Sequence, residues 1–92
     1  MSKVKHFQVK PEHVEAIKFD GRNAADICDW VNLFHDRYKV RASFTDTDII
    51  IEHAGSGVVW TAIRNDWVVR SFINQYFYVE VDSVMADQYI EL

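Results

Sequence analysis

The chain has 92 residues, 49% of them hydrophobic and 14% aromatic, and this apolar content excludes an intrinsically disordered chain. The net charge of −4 argues against non-specific nucleic-acid binding, which depends on Lys and Arg neutralising phosphates. Cys28 is the one cysteine, so an intramolecular disulfide is impossible, which favours a cytoplasmic location. Residues 1–6 precede no apolar run, so we expect no signal peptide, and no stretch reaches the ~20 apolar residues of a membrane span.

The length predicts a single domain over residues 1–92, in which residues 1–11 form an arm or an edge strand. Pro11 cannot donate a backbone hydrogen bond to a sheet and marks a boundary. Residues 13–19 are typical of a strand. Their apolar positions change phase, from Val14 and Ala16 to Ile17 and Phe19, which indicates either a bulge or a strand covered on both faces.

Residues 23–35 show the clearest helical pattern. Asn23 is a good N-cap because its side chain can accept a backbone N–H of the first turn, and Asp26 suits the positive end of the helix dipole. The apolar residues recur at helical spacing. They are Ala24, Ile27, Val31 and Phe34, with Trp30 beside them.

The remaining chain is predicted to form strands over residues 39–45, 49–51, 58–64, 67–71 and 76–81. Gly55 and Gly57 supply a hairpin turn. Asp82 or Ser83 then begins a short helix that carries Met85 and Tyr89 on one side. The predicted fold is α+β, an antiparallel sheet of about five to six strands with one main helix packed on one face and a short C-terminal helix. The other face could be solvated, covered by the terminal helix or used for self-association.

No motif points to catalysis, a metal or a cofactor. The four histidines, His6, His13, His35 and His53, lack ligand-type spacing, and no glycine-rich phosphate loop is present. Cys28 stands in no catalytic motif, so we expect it to be a small buried hydrophobe. We therefore expect the chain not to be an enzyme and to hold neither metal nor cofactor.

Arg37, Lys39 and Arg41 form a basic cluster around Tyr38 and are the candidate anion-binding residues. The alternative interpretation is an ordinary solvated face.

The excess negative charge lies in the last 22 residues, because the ten basic and ten acidic residues up to Arg70 balance. Aromatic residues fall in the same part of the chain, and an exposed aromatic patch beside acidic groups is typical of a protein interface. The candidate partner-binding residues are Tyr76, Tyr78, Glu80, Asp82, Asp87 and Glu91. Whether Trp60, Trp67, Tyr76 and Tyr78 belong to the core or to an interface stays open at this point.

Several segments together resemble a family of small, mostly uncharacterised proteins of tailed bacteriophages and prophages. The segments are VEAIKFDG at residues 14–21, the helix with Trp30, DWVVR at residues 66–70, and the tail with Asp82 and Tyr89. Asn65 and Ser71 stand where the family usually has glycine, and Met85 stands where it usually has an aromatic residue. The resemblance covers about residues 14–89 and implies a phage origin and the cytoplasm of an infected cell, but no activity.

The functional hypothesis is a small non-catalytic interaction protein that binds a bacterial host protein and modulates it. The acidic last segment would steer it towards a basic surface. Two alternatives are a small-molecule or nucleotide-binding protein and a minor virion or assembly component. A homodimer is expected under most of these hypotheses.

Overall fold

The computed structural model describes residues 4–9 and 12–92. The boundary expected at Pro11, like residues 1–3 and 10 of the expected arm or edge strand, lies outside the described residues. Residues 5–9 form a strand that is paired on both sides, so this part is neither an arm nor an edge strand. In chain order the elements are β1 (Lys5–Val9), β2 (Glu12–Lys18), α1 (Ala24–Asn32), α2 (His35–Tyr38), β3 (Val40–Phe44), β4 (Ile49–His53), β5 (Val59–Ala62), β6 (Trp67–Ser71), β7 (Tyr76–Glu80), α3 (Asp82–Gln88) and β8 (Ile90–Glu91).

The described strands form two antiparallel sheets. One sheet has five strands in the order β7-β6-β2-β1-β8, and the other has three in the order β3-β4-β5. The predicted α+β class, with its antiparallel sheet, main helix and short C-terminal helix, is confirmed. The division into two sheets follows from the connections, because α1 and α2 separate β2 from β3 and the next strands then pair through short hairpins.

Strand β2 is covered on both faces. Its register with β1 and with β6 runs without interruption, so the change of phase in its apolar residues is not a bulge. Val14 and Ala16 belong to one buried cluster, and Ile17 and Phe19 belong to another. Of the two alternatives that the pattern left open, the strand covered on both faces is therefore correct.

The first buried cluster fills the space between the five-stranded sheet, α1 and the three-stranded sheet. Ile27 and Val31 of α1 are fully buried there, and Ala24, Trp30 and Phe34 pack against the cluster, so the predicted apolar stripe is confirmed. The second cluster lies on the opposite face, where Met85 and Tyr89 pack against the sheet. The terminal helix thus covers the face that the sequence left unassigned.

The main helix ends earlier than predicted. It stops at Asn32, and a separate turn of helix, α2, follows from His35 to Tyr38. The side chain of Asn32 is used instead to bind β3, since it accepts the N–H of Ala42 at 2.8 Å and donates to the Ala42 carbonyl at 3.1 Å. Lys39 lies before the strand, in a left-handed conformation with φ of 56°.

In the part of the chain that the structure describes, no helix combines the length and the apolar character that a membrane crossing needs.

Candidate functional site

The described structure brings three of the six candidate partner-binding residues together on β7. Alternation along the strand places Tyr76, Tyr78 and Glu80 on one face of the five-stranded sheet, while Phe77 points into the first buried cluster. Tyr89 reaches the same place from the end of α3. We call Tyr76, Tyr78, Glu80 and Tyr89 the tyrosine surface.

The hydroxyl groups of this surface form a chain that ends on a carboxylate. Tyr89 Oη donates to the carboxylate of Glu80 at 3.3 Å, and the hydroxyl oxygens of Tyr78 and Tyr89 lie 2.7 Å apart. Burial, reinforced by the bond to Tyr89, raises the pKa of Tyr78. Burial also raises the pKa of Tyr89. Both phenols are therefore neutral at pH 7 and act as hydrogen-bonding groups rather than as charges.

The rings beside the hydroxyls make a continuous aromatic group. The ring centroids of Tyr76 and Tyr78 are 5.5 Å apart, and Trp60 of β5 lies 6.5 Å from Tyr78. Tyr76, Tyr78 and Trp60 are all half-buried. Aromatic rings next to a carboxylate are suited to bind a cationic side chain, through the ring face and through charge.

Trp60 and Trp67 differ in burial, which answers for these two residues whether they belong to the core. Trp67 is buried in the second cluster at 8% exposure, and its indole N–H donates to Asp82 at 2.8 Å. Trp60 only packs against the first cluster, and no hydrogen-bond partner for its buried Nε1 is present among the described residues. Trp67 is therefore core, whereas Trp60 lies between the core and the tyrosine surface.

The other three candidate partner-binding residues are dispersed. Asp82 is exposed but engaged, because Lys18 lies 3.4 Å away and the indole of Trp67 lowers the pKa of its carboxyl group. Asp87 lies on the exposed side of α3, and Glu91 lies in β8, on the opposite edge of the sheet from β7. The acidic residues after Arg70 do not form one continuous surface.

A second polar site was not expected from the sequence. Arg70 and Glu15 lie directly opposite each other on β6 and β2, and the Arg70 guanidinium contacts the carboxylate through Nε at 2.7 Å and Nη2 at 2.6 Å. Arg70 Nη1 also donates to Tyr38 Oη at 2.8 Å. The guanidinium lies over two rings, at 4.5 Å from Phe34 and 4.2 Å from Phe72.

This guanidinium is fully engaged by its neighbours, so we assign it a structural role that joins the two strands to α2. The sequence does contain a signal for this ion pair. Glu15 and Arg70 carry opposite charges, and each lies inside a mostly apolar strand. The pairing register, which the sequence does not show, is needed to bring the two together.

Two of the three candidate anion-binding residues line a cavity of about 440 Å³. Lys39 and Arg41 contribute to its wall together with His35, Glu52 and His53. Arg37 is exposed on α2 and does not line the cavity. Glu52 lies directly opposite Arg41 on the neighbouring strand, so this basic group is partly offset by a carboxylate.

Cys28 is buried at 4% exposure, as predicted, and burial raises the pKa of its thiol to about 11. The thiol is therefore protonated at pH 7 and a poor nucleophile. Among residues 4–9 and 12–92, no three His, Cys, Asp or Glu side chains are placed to hold a metal ion.

The fold and the tyrosine surface together define a small α+β domain of two antiparallel sheets with a half-buried aromatic and acidic surface. No protein-family model, no curated protein and no solved structure matches the chain. The resemblance to bacteriophage proteins stays a prediction.

Proposed function

We propose that this chain is a non-catalytic interaction protein of phage origin that binds a bacterial host protein and modulates it in the host cytoplasm. The observation that carries the proposal is the convergence of the half-buried Tyr76, Tyr78 and Glu80 on one sheet face, where the buried Tyr89 is hydrogen-bonded to two of them. Tyrosine and tryptophan are enriched at protein interfaces and dominate their energetics, because a large rigid ring is buried at little entropic cost.

The chemistry of the tyrosine surface favours a partner that presents Arg or Lys. Glu80 supplies one negative charge at this surface. The carboxylate of Glu12, which accepts a hydrogen bond from Ser71, supplies a second negative charge, which contributes to the raised pKa of Tyr78. Opposite charges on the two partners accelerate association and make it sensitive to salt. We therefore expect the complex to weaken as ionic strength rises.

Affinity capture from bacterial lysate with matched variants tests this proposal. Tyr76→Ala removes a half-buried ring from the surface and should reduce the yield of one host protein by about tenfold or more, the size typical of an interface hot spot. Arg37→Gln, exposed on α2 and outside the tyrosine surface, is the control and should leave the yield unchanged. The host protein is then purified, and its affinity for both variants is measured. Equal affinities would contradict the proposal.

A small anionic ligand is a second candidate, because Lys39 and Arg41 line a cavity of about 440 Å³, which is within the size range of small-molecule sites. A phosphate group in this cavity would be attracted by both positive charges. Inorganic phosphate and nucleotides are the probes, and a bound ligand raises the unfolding temperature.

The variants separate a specific site from general charge effects. Arg41→Gln should abolish the thermal shift, Arg37→Gln should retain it, and Glu52→Gln should enlarge it by removing the opposing carboxylate. A shift that is the same in all three variants would count against the cavity as the site.

A further inference from the structure

The edges of the two sheets differ in how well they are protected. An edge strand presents backbone N–H and C=O groups that can pair with another chain, so proteins usually cover, shorten or charge such strands. The edge strands of the described fold are β7 and β8 in the larger sheet and β3 and β5 in the smaller sheet.

Three of these edge strands are protected from pairing with another chain. The side chain of Asn32 binds both the N–H and the carbonyl of Ala42 on β3. On β7, the N–H of Phe77 donates to Nε2 of the buried His53 at 3.1 Å. Strand β8 is only 2 residues long, too short to guide the pairing of another strand.

The free edge of β5 is open. The N–H of His53 donates to the carbonyl of Val58 at 2.9 Å, which identifies this pair as hydrogen-bonded across β4 and β5. Because hydrogen-bonded pairs alternate along antiparallel strands, Trp60 and Ala62 also bond to β4, while Val59 and Thr61 direct their N–H and C=O groups outward. No partner for these outward groups is present among the described residues.

The side chains of residues 58–63 do not prevent pairing with another strand either. Residues 58–63 read VVWTAI and contain no charged residue and no proline, the residue types that normally prevent edge pairing. Val58, Val59 and Ile63 are 44%, 57% and 56% exposed. The open edge ends at Ile63, whose N–H donates to the carboxylate of Asp66 at 3.0 Å.

We propose that β5 pairs antiparallel with β5 of a second copy of this chain, so that the two three-stranded sheets join into one continuous sheet. The partner must supply an unpaired, uncharged, extended strand of similar length. Among the described edges, β5 itself has all of these properties. A twofold axis midway between the Trp60 residues of the two copies places Val59 opposite Thr61 of the second copy, and each such pair exchanges two backbone hydrogen bonds.

The side chains are compatible with this register. On the outer face of the sheet, Val59 follows Arg41 and Glu52 in one row, while Thr61 follows Ser43 and Ile50 in the next. The junction therefore joins two β-branched side chains, a favourable cross-strand pair. Glu52 is separated from the junction by the width of β5, so no like charges meet there.

Molar mass measured by light scattering over a range of concentrations tests the proposal. The wild-type chain should reach twice the monomer mass, and Thr61→Pro should remain monomeric, because it removes an outward donor that forms no bond within the chain. Val59→Lys is a second disruptive variant, since it adds a charge at the junction without changing the backbone. Ser43→Lys adds the same charge to the same sheet face away from β5, and should still dimerise.

A wild-type monomer at the highest concentration, or dimers of both disruptive variants, would overturn the proposal. Amide exchange then locates the contact. Val59 and Thr61 should exchange at least about tenfold more slowly in concentrated than in dilute solution, whereas Trp60 and Ala62 should be protected in both. A dimer in which Val59 and Thr61 exchange at the same rate at both concentrations would also overturn it.

Discussion

At the residue scale, Arg70 is the side chain with the most demanding environment. Its side chain is 14% exposed, and its guanidinium contacts Glu15, Tyr38 and two aromatic rings at once. A planar, forked group can make all of these contacts, whereas an ammonium group cannot.

Arg70→Lys should therefore lower the free energy of unfolding by about 1 to 3 kcal/mol, the cost of leaving buried polar groups incompletely paired. Urea denaturation measures the change. Arg37→Lys, on an exposed helical turn, is the control and should change stability by less than about 0.5 kcal/mol. Equal effects of the two substitutions would show that the Arg70 contacts contribute no net stability.

His53 is the residue whose ionisation should matter most for stability. Its Nε2 accepts the N–H of Phe77, which requires the neutral imidazole, and burial holds its pKa below the usual 6.5. The stability that depends on the neutral form is therefore fully present above pH 6.5 and is lost as the pH falls through the lower pKa of the folded chain. Protonation would leave the buried N–H of Phe77 without its acceptor, a loss of about 1 to 3 kcal/mol.

The variant His53→Gln keeps an acceptor oxygen but does not titrate, so it should flatten the decrease in unfolding temperature between about pH 7.5 and pH 5. His35→Gln removes an exposed histidine and should retain the wild-type decrease. If His53→Gln and the wild type lose stability in parallel, His53 is not the titrating group.

At the element scale, the end of α1 protects an edge of the three-stranded sheet. Asn32 makes two hydrogen bonds to Ala42, in the manner of a neighbouring strand. Asn32→Ala should destabilise the fold by about 1 to 2 kcal/mol and should accelerate the amide exchange of Ala42. Asp29→Ala, exposed on the same helix, is the control. Unchanged exchange at Ala42 would mean that the strand does not depend on this side chain.

At the scale of the whole molecule, the sequence predicts what depends on local periodicity. The helical stripe of Ile27 and Val31 and the alternation of β7 are visible in neighbouring residues, so both could be predicted. The tyrosine surface was predicted in part, because Tyr76, Tyr78 and Glu80 share a strand face. Tyr89 joins it only through the position of α3.

What could not be predicted depends on pairing between distant segments. The Glu15–Arg70 pair and the two separate sheets follow from strand register and connection, neither of which leaves a local pattern. The cavity beside Lys39 and Arg41 likewise needs the turn after α2 to lie against the β4–β5 hairpin, where the Lys39 carbonyl accepts the N–H of Ala54 at 2.9 Å.

Photo-crosslinking in bacterial cells tests most directly the central claim that the tyrosine surface binds a host protein. Benzoylphenylalanine replaces Tyr76 in one variant and Arg37 in another, so that the same photoreactive ring stands on the tyrosine surface or on α2. We expect one light-dependent adduct with a host protein from position 76 and none from position 37. No adduct from position 76, or the same adducts from both positions, would contradict the claim.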